Sequence, residues 1–593
     1  MSESEAAASA QRRAAISPFQ AISAGVVAAG GALGLSEILS GLSRKIPSLV
    51  VSVAEEIVDA TPGFIARWSI DTLGTAQKPA LVWGIVIVSI LLGAVLGWPS
   101  RKRWWVMPAG LVAFAVVGGW AAARNPLSSD GLGWMSGLLS GAFGIALFLS
   151  LYVLATAGAS SAQADPKDSA AGEDRRVPMV GRGRFNDRRR FVGAVGVMAG
   201  ASLAGGLLGR WLRRRDTVEG AREGVAEALQ GRTIATPAAR STARPTESAS
   251  EPAASATTPT PTAPGADPTA EAAAEATAEP APSVTAEPQT APNFDYIAGI
   301  APLITPNDDF YLIDTALSYP QIDPADWSLR LHGMVDREVE IGFDELLDLG
   351  LVREQVTLSC VSNRVGGGLV GNAEWVGVPL ATVLDQAGVQ PGATQIVGRS
   401  VDRWTAGFPT EVALDGRVAL VAVQMNGEPL PISHGFPARL VVAGLYGYVS
   451  ATKWLSDIEL TTWEAFDGYW IPRGWSKEGP IKTQSRIDVP RQGAEIDPGP
   501  TAIAGVSWAP SRAIERVEVQ VDDEDWVSAE LSRETTINSW RQWMVTWNAT
   551  PGEHRVRVRA TDGTSTTQTP EISDPAPDGA TGWHTIEVRT DEA

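Results

Sequence analysis

Val356-Thr357-Leu358-Ser359-Cys360-Val361-Ser362-Asn363-Arg364-Val365-Gly366-Gly367-Gly368 is a strand-like run that breaks into a glycine-rich loop. Cys360 stands at the break and is the only cysteine among 593 residues. A lone thiol closes no internal disulfide; it is a nucleophile, a metal ligand or buried filler. Unpaired cysteines are most often packing residues, but this setting argues for more. A strand end followed by a loop presents its side chain to a ligand, and thiolate is the soft donor that suits a soft or high-valent metal. Gly366 to Gly368 do not read as a phosphate loop, because no Gly-Lys-Ser/Thr follows and no dinucleotide fingerprint is present.

Around this run, residues 293–488 mix strand signals (Leu329–Gly333, Ala438–Val442) with helix signals (Phe343–Leu349, Pro379–Ala387), an α+β composition. In residues 489–593 the pattern changes to short runs of period two between turn residues: Ala502–Trp508, Arg516–Val521, Arg541–Trp547, Arg555–Ala560 and His584–Arg589. That is the signature of a β-sandwich, with Trp508, Trp526, Trp540, Trp543, Trp547 and Trp583 as candidate core and interface anchors.

Residues 1–215 read as an all-α membrane anchor. Apolar stretches near 22–42, 80–98, 105–123, 134–157 and 191–209 are each long enough to cross roughly 30 Å of hydrocarbon. Lys45–Lys78 is too polar to span and reads as amphipathic helix along the membrane surface. Arg12, Arg13, Arg101–Arg103 and the arginines from Arg175 to Arg190 fall on one side of a five-span layout, which the positive-inside rule makes cytoplasmic. Arg44, Lys45 and Arg210–Arg215 dissent. Five spans from an inside start put residues 216–593 outside. The four histidines, His332, His434, His554 and His584, all lie beyond the spans, so no membrane haem is expected. Residues 216–292 read as a linker. A short helix is expected before Gln230, and then a tether, 233–292, too poor in apolar residues to order itself. Its about 60 residues would reach on the order of 45 Å. The net charge of −19 argues against a nucleic-acid partner.

Five blocks then follow in order: Thr305-Pro306-Asn307-Asp308-Asp309-Phe310-Tyr311, Leu358–Asn363, Met425-Asn426-Gly427-Glu428-Pro429-Leu430-Pro431, His434-Gly435-Phe436-Pro437-Ala438-Arg439 and Lys453-Trp454-Leu455. In sequence and spacing they resemble the sulfite oxidase family, over roughly residues 293–590. The resemblance implies a molybdenum–molybdopterin cofactor with Cys360 as catalytic residue and metal ligand. His434, Arg439, Lys453 and Ser450 fall at pterin-holding positions, Phe310 and Tyr311 at another pterin-contacting stretch. Asp402 aligns across a loop of different length; Asn363 and Arg364 lie in the cysteine loop, where Arg364 would reach the pterin or a neighbouring carboxylate. A cation fork at Arg439 and a point charge at Lys453 suit a phosphate. The sandwich resembles the immunoglobulin-like domain that follows the molybdenum domain in this family, which implies a homodimer contact. Arg188-Arg189-Arg190-Phe191-Val192 resembles a twin-arginine export signal, or is plain positive-inside flanking; a cofactor loaded inside the cell favours export of the folded domain.

The departures from the family bear on substrate. The true sulfite oxidases in it bind dianionic sulfite with several arginines. Here Ile313 and Val365 occupy two of those positions, and a third falls near Asp578. The family's active-site tyrosine falls near Pro472, with Tyr469 or Trp470 adjacent and Arg473 as a partial substitute cation. Three lost charge-assisted bonds at roughly 1.5–3 kcal/mol each disfavour sulfite. The expectation is therefore a multi-pass protein of a bacterial cell membrane with its catalytic domain on the extracytoplasmic side. It would transfer an oxo group to or from a small, weakly charged donor or acceptor and exchange electrons with a separate cytochrome or quinone system. A sulfite dehydrogenase and a non-catalytic envelope protein are the alternatives.

Overall fold

The computed structural model describes residues 16–125, 128, 130–160, 182–215, 217–236 and 293–591. Arg12, Arg13, Arg175, Arg176 and the tether from 237 to 292 lie outside the described residues.

The N-terminal part is helical: α1 (Pro18–Leu42), α2 (Leu49–Ala60), α3 (Gly63–Leu73), α4 (Gln77–Ser100), α5 (Val106–Ala123), α6 (Asp130–Ser160), α7 (Arg182–Arg215) and α8 (Glu219–Gln230). Five stretches are long and apolar enough to cross a membrane: Pro18–Leu42, Gln77–Ser100, Val106–Ala123, Gly131–Thr156 and Arg189–Arg213. These are the five that hydrophobicity placed. α1 starts at a capping box, Ser17 with Gln20, and Pro18 occupies its first turn. It packs against α4, α6 and α7. Small residues allow the close approach: a Cβ on Gly25 would stand 2.1 Å from Gly93 O, and one on Gly209 2.1 Å from Glu37 O.

α2 and α3, in the 45–78 segment read as amphipathic, lie over one end of this bundle. Ser48 caps α2 by accepting from Val51 N, and Leu49, Val50 and Ala54 face inward. Its polar face meets the bundle at Arg124, which pairs with Glu56 at 3.1 Å, and at Asn125, which donates to Glu55 Oε2 at 3.3 Å.

The C-terminal half seats on the same end. Arg403 pairs with Glu56 at 2.9 Å and Asp59 at 3.1 Å. Lys78, at the start of α4, pairs with Asp314 at 2.6 Å. Arg101–Arg103 lie at the other end of α4, about 36 Å away at 1.5 Å per residue.

The linker expected from 216 starts later. Val218, Val225 and Leu229 make an apolar stripe at helical spacing that is buried in the core of the C-terminal half. Arg222 donates to the carbonyls of Leu430 and Pro429 at 3.0 and 2.9 Å. β1 (Ile234–Ala235) then pairs in parallel with Leu351 and Val352. Ion-paired contacts thus hold the C-terminal half to the N-terminal helices, where the sequence suggested a domain free to move on a tether.

That half continues through β2 (Ser328–Gly333), β3 (Val339–Gly342), α9 (Phe343–Asp348), β4 (Leu351–Ser359), β5 (Val370–Pro379), α10 (Leu380–Asp385), β6 (Gln395–Ser400), β7 (Thr405–Pro409), α11 (Glu411–Leu414), β8 (Ala419–Met425), β9 (Glu428–Pro429), β10 (Arg439–Val442), α12 (Gly447–Ser450) and β11 (Leu455–Thr461). One sheet runs β1-β4-β5-β8-β10, with β9 on β8; the other runs β3-β2-β11-β6-β7. The expected helices are present but short, so the domain is sheet-rich. Trp375, Trp454, Phe408 and Phe436 are among its fully buried side chains.

The last strands are β12 (Gln484–Val489), β13 (Glu495–Ile496), β14 (Gly499–Trp508), β15 (Ile514–Val521), β16 (Val527–Ser528), β17 (Glu530–Leu531), β18 (Arg541–Ala549), β19 (Gly552–Asp562) and β20 (His584–Thr590). They form two sheets, β12-β14-β18-β17 and β13-β20-β19-β15-β16. Ile503 and Trp543 of the first share one core with Val517, Val556, Val558 and Ile586 of the second. β12 pairs along β14 from Gln484 opposite Trp508, so this unit begins at Gln484 and not at 489. Trp508 and Trp540 belong to the core of the preceding domain; Trp526 and Trp583 instead flank the Arg559 guanidinium.

Glu55 sits where α2 meets the C-terminal half. Burial pushes its carboxyl up to about 7, helped by Asp402 and Asp59 and opposed by Arg403 and the Asn125 hydrogen bond. A carboxyl whose folded pKa is raised penalises the folded state as pH climbs from the ordinary carboxylate range through about 7. Glu55→Gln should therefore stabilise the detergent-solubilised chain at pH 8, by at most about 3 kcal/mol, and raise its melting temperature there, with little change at pH 4.5. A thermal melt showing no gain at pH 8 would contradict this placement.

Candidate active site

β4 delivers Cys360 to the point where the chain leaves the sheet. Its amide donates to Leu369 O at 2.9 Å, closing the loop onto β5. Within the loop, Asn363 N donates to Cys360 O at 3.0 Å and Asn363 Oδ1 accepts from Leu369 N at 2.9 Å. Gly366 has φ +75°, and a Cβ there would overlap the His584 ring at 2.2 Å. His584 is fixed in turn by accepting from Ile487 N at 2.9 Å; burial lowers its pKa to about 4. The sandwich therefore braces the cysteine loop.

Cys360 is buried, and burial pushes its thiol up, against hydrogen bonds from Ser362. Tyr311 feels the charges of both Cys360 and Arg439. Phe310 stacks on Tyr311 at 5.2 Å and meets Trp375 and His434 edge-on at 5.9 and 5.6 Å. A Cβ on Gly371 would lie 2.7 Å from the Phe310 ring, so β5 needs glycine there.

His434 is 2% exposed. Its Nε2 lies 3.3 Å from Asn307 O. Burial, then Arg439 and Lys453, lower its pKa to about 3, so it is neutral at pH 7. Arg439, 4% exposed, lies over Trp375 at 5.1 Å. It donates to His434 O at 3.0 Å and Leu440 O at 3.3 Å. Among the described residues it has no carboxylate partner, and burial lowers its pKa to about 10. Lys453 donates to Asp314 Oδ2 and Ser433 O, both at 2.9 Å; burial brings it to about 8 against the pull of Asp314. Gly435, at φ +111°, leaves 3.0 Å between a would-be Cβ and Lys453 Cα.

Cys360, Phe310, Tyr311, His434, Arg439 and Lys453 thus come together. Four other candidates stand differently. Asn363 staples the loop. Ser450 is buried, but its hydroxyl donates to the carbonyls of Tyr446 and Leu445 at 3.1 and 3.4 Å. Asp402 accepts from Trp404 N at 3.1 Å and lines a crevice with Glu55, Asp59 and Arg403, towards α2; burial raises its pKa. Arg364 is 75% exposed and reaches a carboxylate of the sandwich, Asp574, at 3.9 Å.

Arg473 does not replace a lost arginine. It stacks on Tyr469 at 3.7 Å and donates to Tyr469 O and Asp59 O at 2.6 and 3.2 Å, so its guanidinium is engaged where α2 docks. Three residues escaped the sequence reading: Asp314, Tyr446 and Lys482. Tyr446 is 3% exposed and its hydroxyl oxygen accepts from Lys482 N at 3.4 Å. Burial raises its pKa to about 12, and the charge of Cys360 contributes. Lys482 donates to Asp578 Oδ1 at 3.0 Å and Gly579 O at 2.7 Å. Only the fold joins these residues to Cys360, and their spacing carries no motif.

A buried guanidinium held only by carbonyls, a buried ammonium, a neutral imidazole and a buried thiol form a donor set for a phosphate and a soft metal. That fits molybdopterin and molybdenum, and defines a cofactor-binding redox domain. Residues 316–470 match the family described as Oxidoreductase molybdopterin binding domain. Human mitochondrial sulfite oxidase is 28% identical over 302 residues, 43% of this chain and 55% of that protein. The uncharacterized oxidoreductase YuiH of Bacillus subtilis is 31% identical over 157 residues, 26% of this chain and 76% of that protein. Among solved structures, the sulfane dehydrogenase SoxCD of Paracoccus pantotrophus aligns at TM-score 0.43 and 22% identity, over 49% of this chain and 84% of that one. The chain belongs to the sulfite oxidase family of molybdopterin-dependent oxidoreductases. It spans about half the length of the curated sulfite oxidases it matches.

Asn363→Ala should leave Leu369 N without its acceptor, a cost of about 1–3 kcal/mol. The expected outcome is a lower unfolding midpoint and faster iodoacetamide alkylation of Cys360 in cofactor-free protein. Unchanged alkylation would remove the stapling role.

Proposed function

We propose that this chain is a membrane-anchored, extracytoplasmic oxidoreductase that moves an oxygen atom to or from a small substrate of low charge. The observation that carries the reading is the buried cluster of Cys360 with His434, Arg439 and Lys453. Molybdenum held by molybdopterin supplies, when bound, a two-electron couple and a site for oxygen transfer. Cys360 would ligate the metal; Arg439 and Lys453 would hold the pterin phosphate, with neutral His434 sharing it. Phe310 and Tyr311 would pack against the pterin. Removing an oxygen atom as water consumes two electrons and two protons, and adding one releases them. Tyr446 suits a substrate contact, because its oxygen accepts from Lys482 N while its own proton has no acceptor among the described residues.

Three features argue for low substrate charge. Ile313 is 47% exposed at a former arginine position, Val365 occupies another, and Lys482 is neutralised by Asp578. The electron partner would be a separate cytochrome or quinone system, since no histidine lies in the spans. The sandwich offers the surface for a homodimer. The positive-inside pattern supports an extracytoplasmic catalytic half, and Arg188-Arg189 suit export in the folded state.

Cys360→Ser should bring turnover to background and change the molybdenum spectrum at an unchanged unfolding midpoint; wild-type turnover would end the reading. Sulfite should bind on the order of 10³- to 10⁶-fold more weakly than at a site with the arginines in place, and a low-micromolar KM would restore the sulfite alternative. External protease should cut intact protoplasts between residues 237 and 292. Replacing both Arg188 and Arg189 with Lys should abolish that cleavage, while cleavage only after membrane rupture of the wild type would invert the topology.

A further inference from the structure

Asp314 is the one carboxylate ion-paired to the cationic cluster among the described residues, and it is shared. Lys453 reaches its Oδ2 at 2.9 Å from the cofactor side. Lys78 reaches its Oδ1 at 2.6 Å from the first turn of the membrane helix α4. Lys78 also donates to Ala316 O at 2.9 Å, so its ammonium is seated by two contacts. The Asp314 side chain is 8% exposed and that of Lys453 10%. Burial alone would raise the Asp314 pKa, but Lys453 and then Lys78 outweigh it and hold the carboxyl low.

The charges then add up differently with and without the anchor. Lys453 and Asp314 alone form a neutral pair. Adding Lys78 gives two ammonium groups on one carboxylate, a single net positive charge. Arg439, with no carboxylate partner among the described residues, contributes a second. A phosphate monoester carries about −1.5 to −2 at pH 7, which two net positive charges balance and one does not.

Resting on the molybdopterin reading above, we propose that Lys78 of the anchor is a positioning residue of the cofactor site: by sharing Asp314 it frees the charge of Lys453 for the cofactor's phosphate. The anchor is then part of the cofactor site as well as a membrane attachment, and seating of the catalytic half on α4 is coupled to cofactor retention.

The test uses the full chain in detergent micelles and measures molybdenum and oxidised pterin per polypeptide during prolonged dialysis. Lys78→Met should lose both on the order of tenfold faster than wild type, because a unit charge a few ångströms away across a partly exposed boundary has been removed. Lys78→Arg, which keeps the charge, should retain both at nearly the wild-type rate. Lys78→Gln is the second neutral variant should the methionine form not insert. Far-UV circular dichroism and the unfolding midpoint follow the fold separately. Wild-type retention in both neutral variants overturns the proposal, as does an arginine variant as leaky as the neutral ones, which would make the contact one of shape. A wild-type chain that carries no molybdenum overturns the cofactor reading itself.

Discussion

Everything in the catalytic half is arranged around a buried excess of positive charge. Arg439 is 4% exposed and, among the described residues, has hydrogen-bond partners that are all backbone carbonyls. An unpaired guanidinium in a protein interior is costly unless a ligand completes it. Arg439 opens strand β10, its guanidinium lies over the Trp375 ring, and His434 is kept neutral beside it. The same site keeps its thiol at the end of β4, on a loop braced by Asn363 and by His584 from the sandwich. The second sheet unit therefore contributes to the geometry at Cys360.

The N-terminal helical half, with five helices long and apolar enough to cross a membrane, is held by different contacts. Close backbone approach holds its helices together, and the glycines of α1, α4 and α7 permit it. One end of that bundle carries α2, α3 and the start of α4. The catalytic half rests there through charged pairs, Arg403 with Glu56 and Asp59 and Lys78 with Asp314. Part-buried pairs of this kind specify an orientation more than they add stability. They also bring a carboxylate cluster, Glu55, Asp59 and Asp402, into a place where burial raises all three pKa values.

Much of this was legible in the order of residues. Five apolar stretches mark five helices because the length needed to cross hydrocarbon is set by 1.5 Å per residue. Period-two runs mark the sandwich strands because alternate side chains face alternate sides. Five spaced blocks mark the cofactor domain, and Cys360, Phe310, Tyr311, His434, Arg439 and Lys453 do meet. What the order of residues could not decide was the partner each polar group takes, since that depends on distance in space. Asn363 and Ser450 bond backbone, Arg364 points to Asp574, and Arg473 is engaged with Tyr469 and α2. Residues 217–236 pack on the catalytic half because the stripe Val218, Val225, Leu229 finds an apolar surface there. Lys78 and Lys453 are separated by hundreds of residues yet share one carboxylate; electrostatic coupling falls with separation in space, not along the chain, so only the tertiary structure could join them.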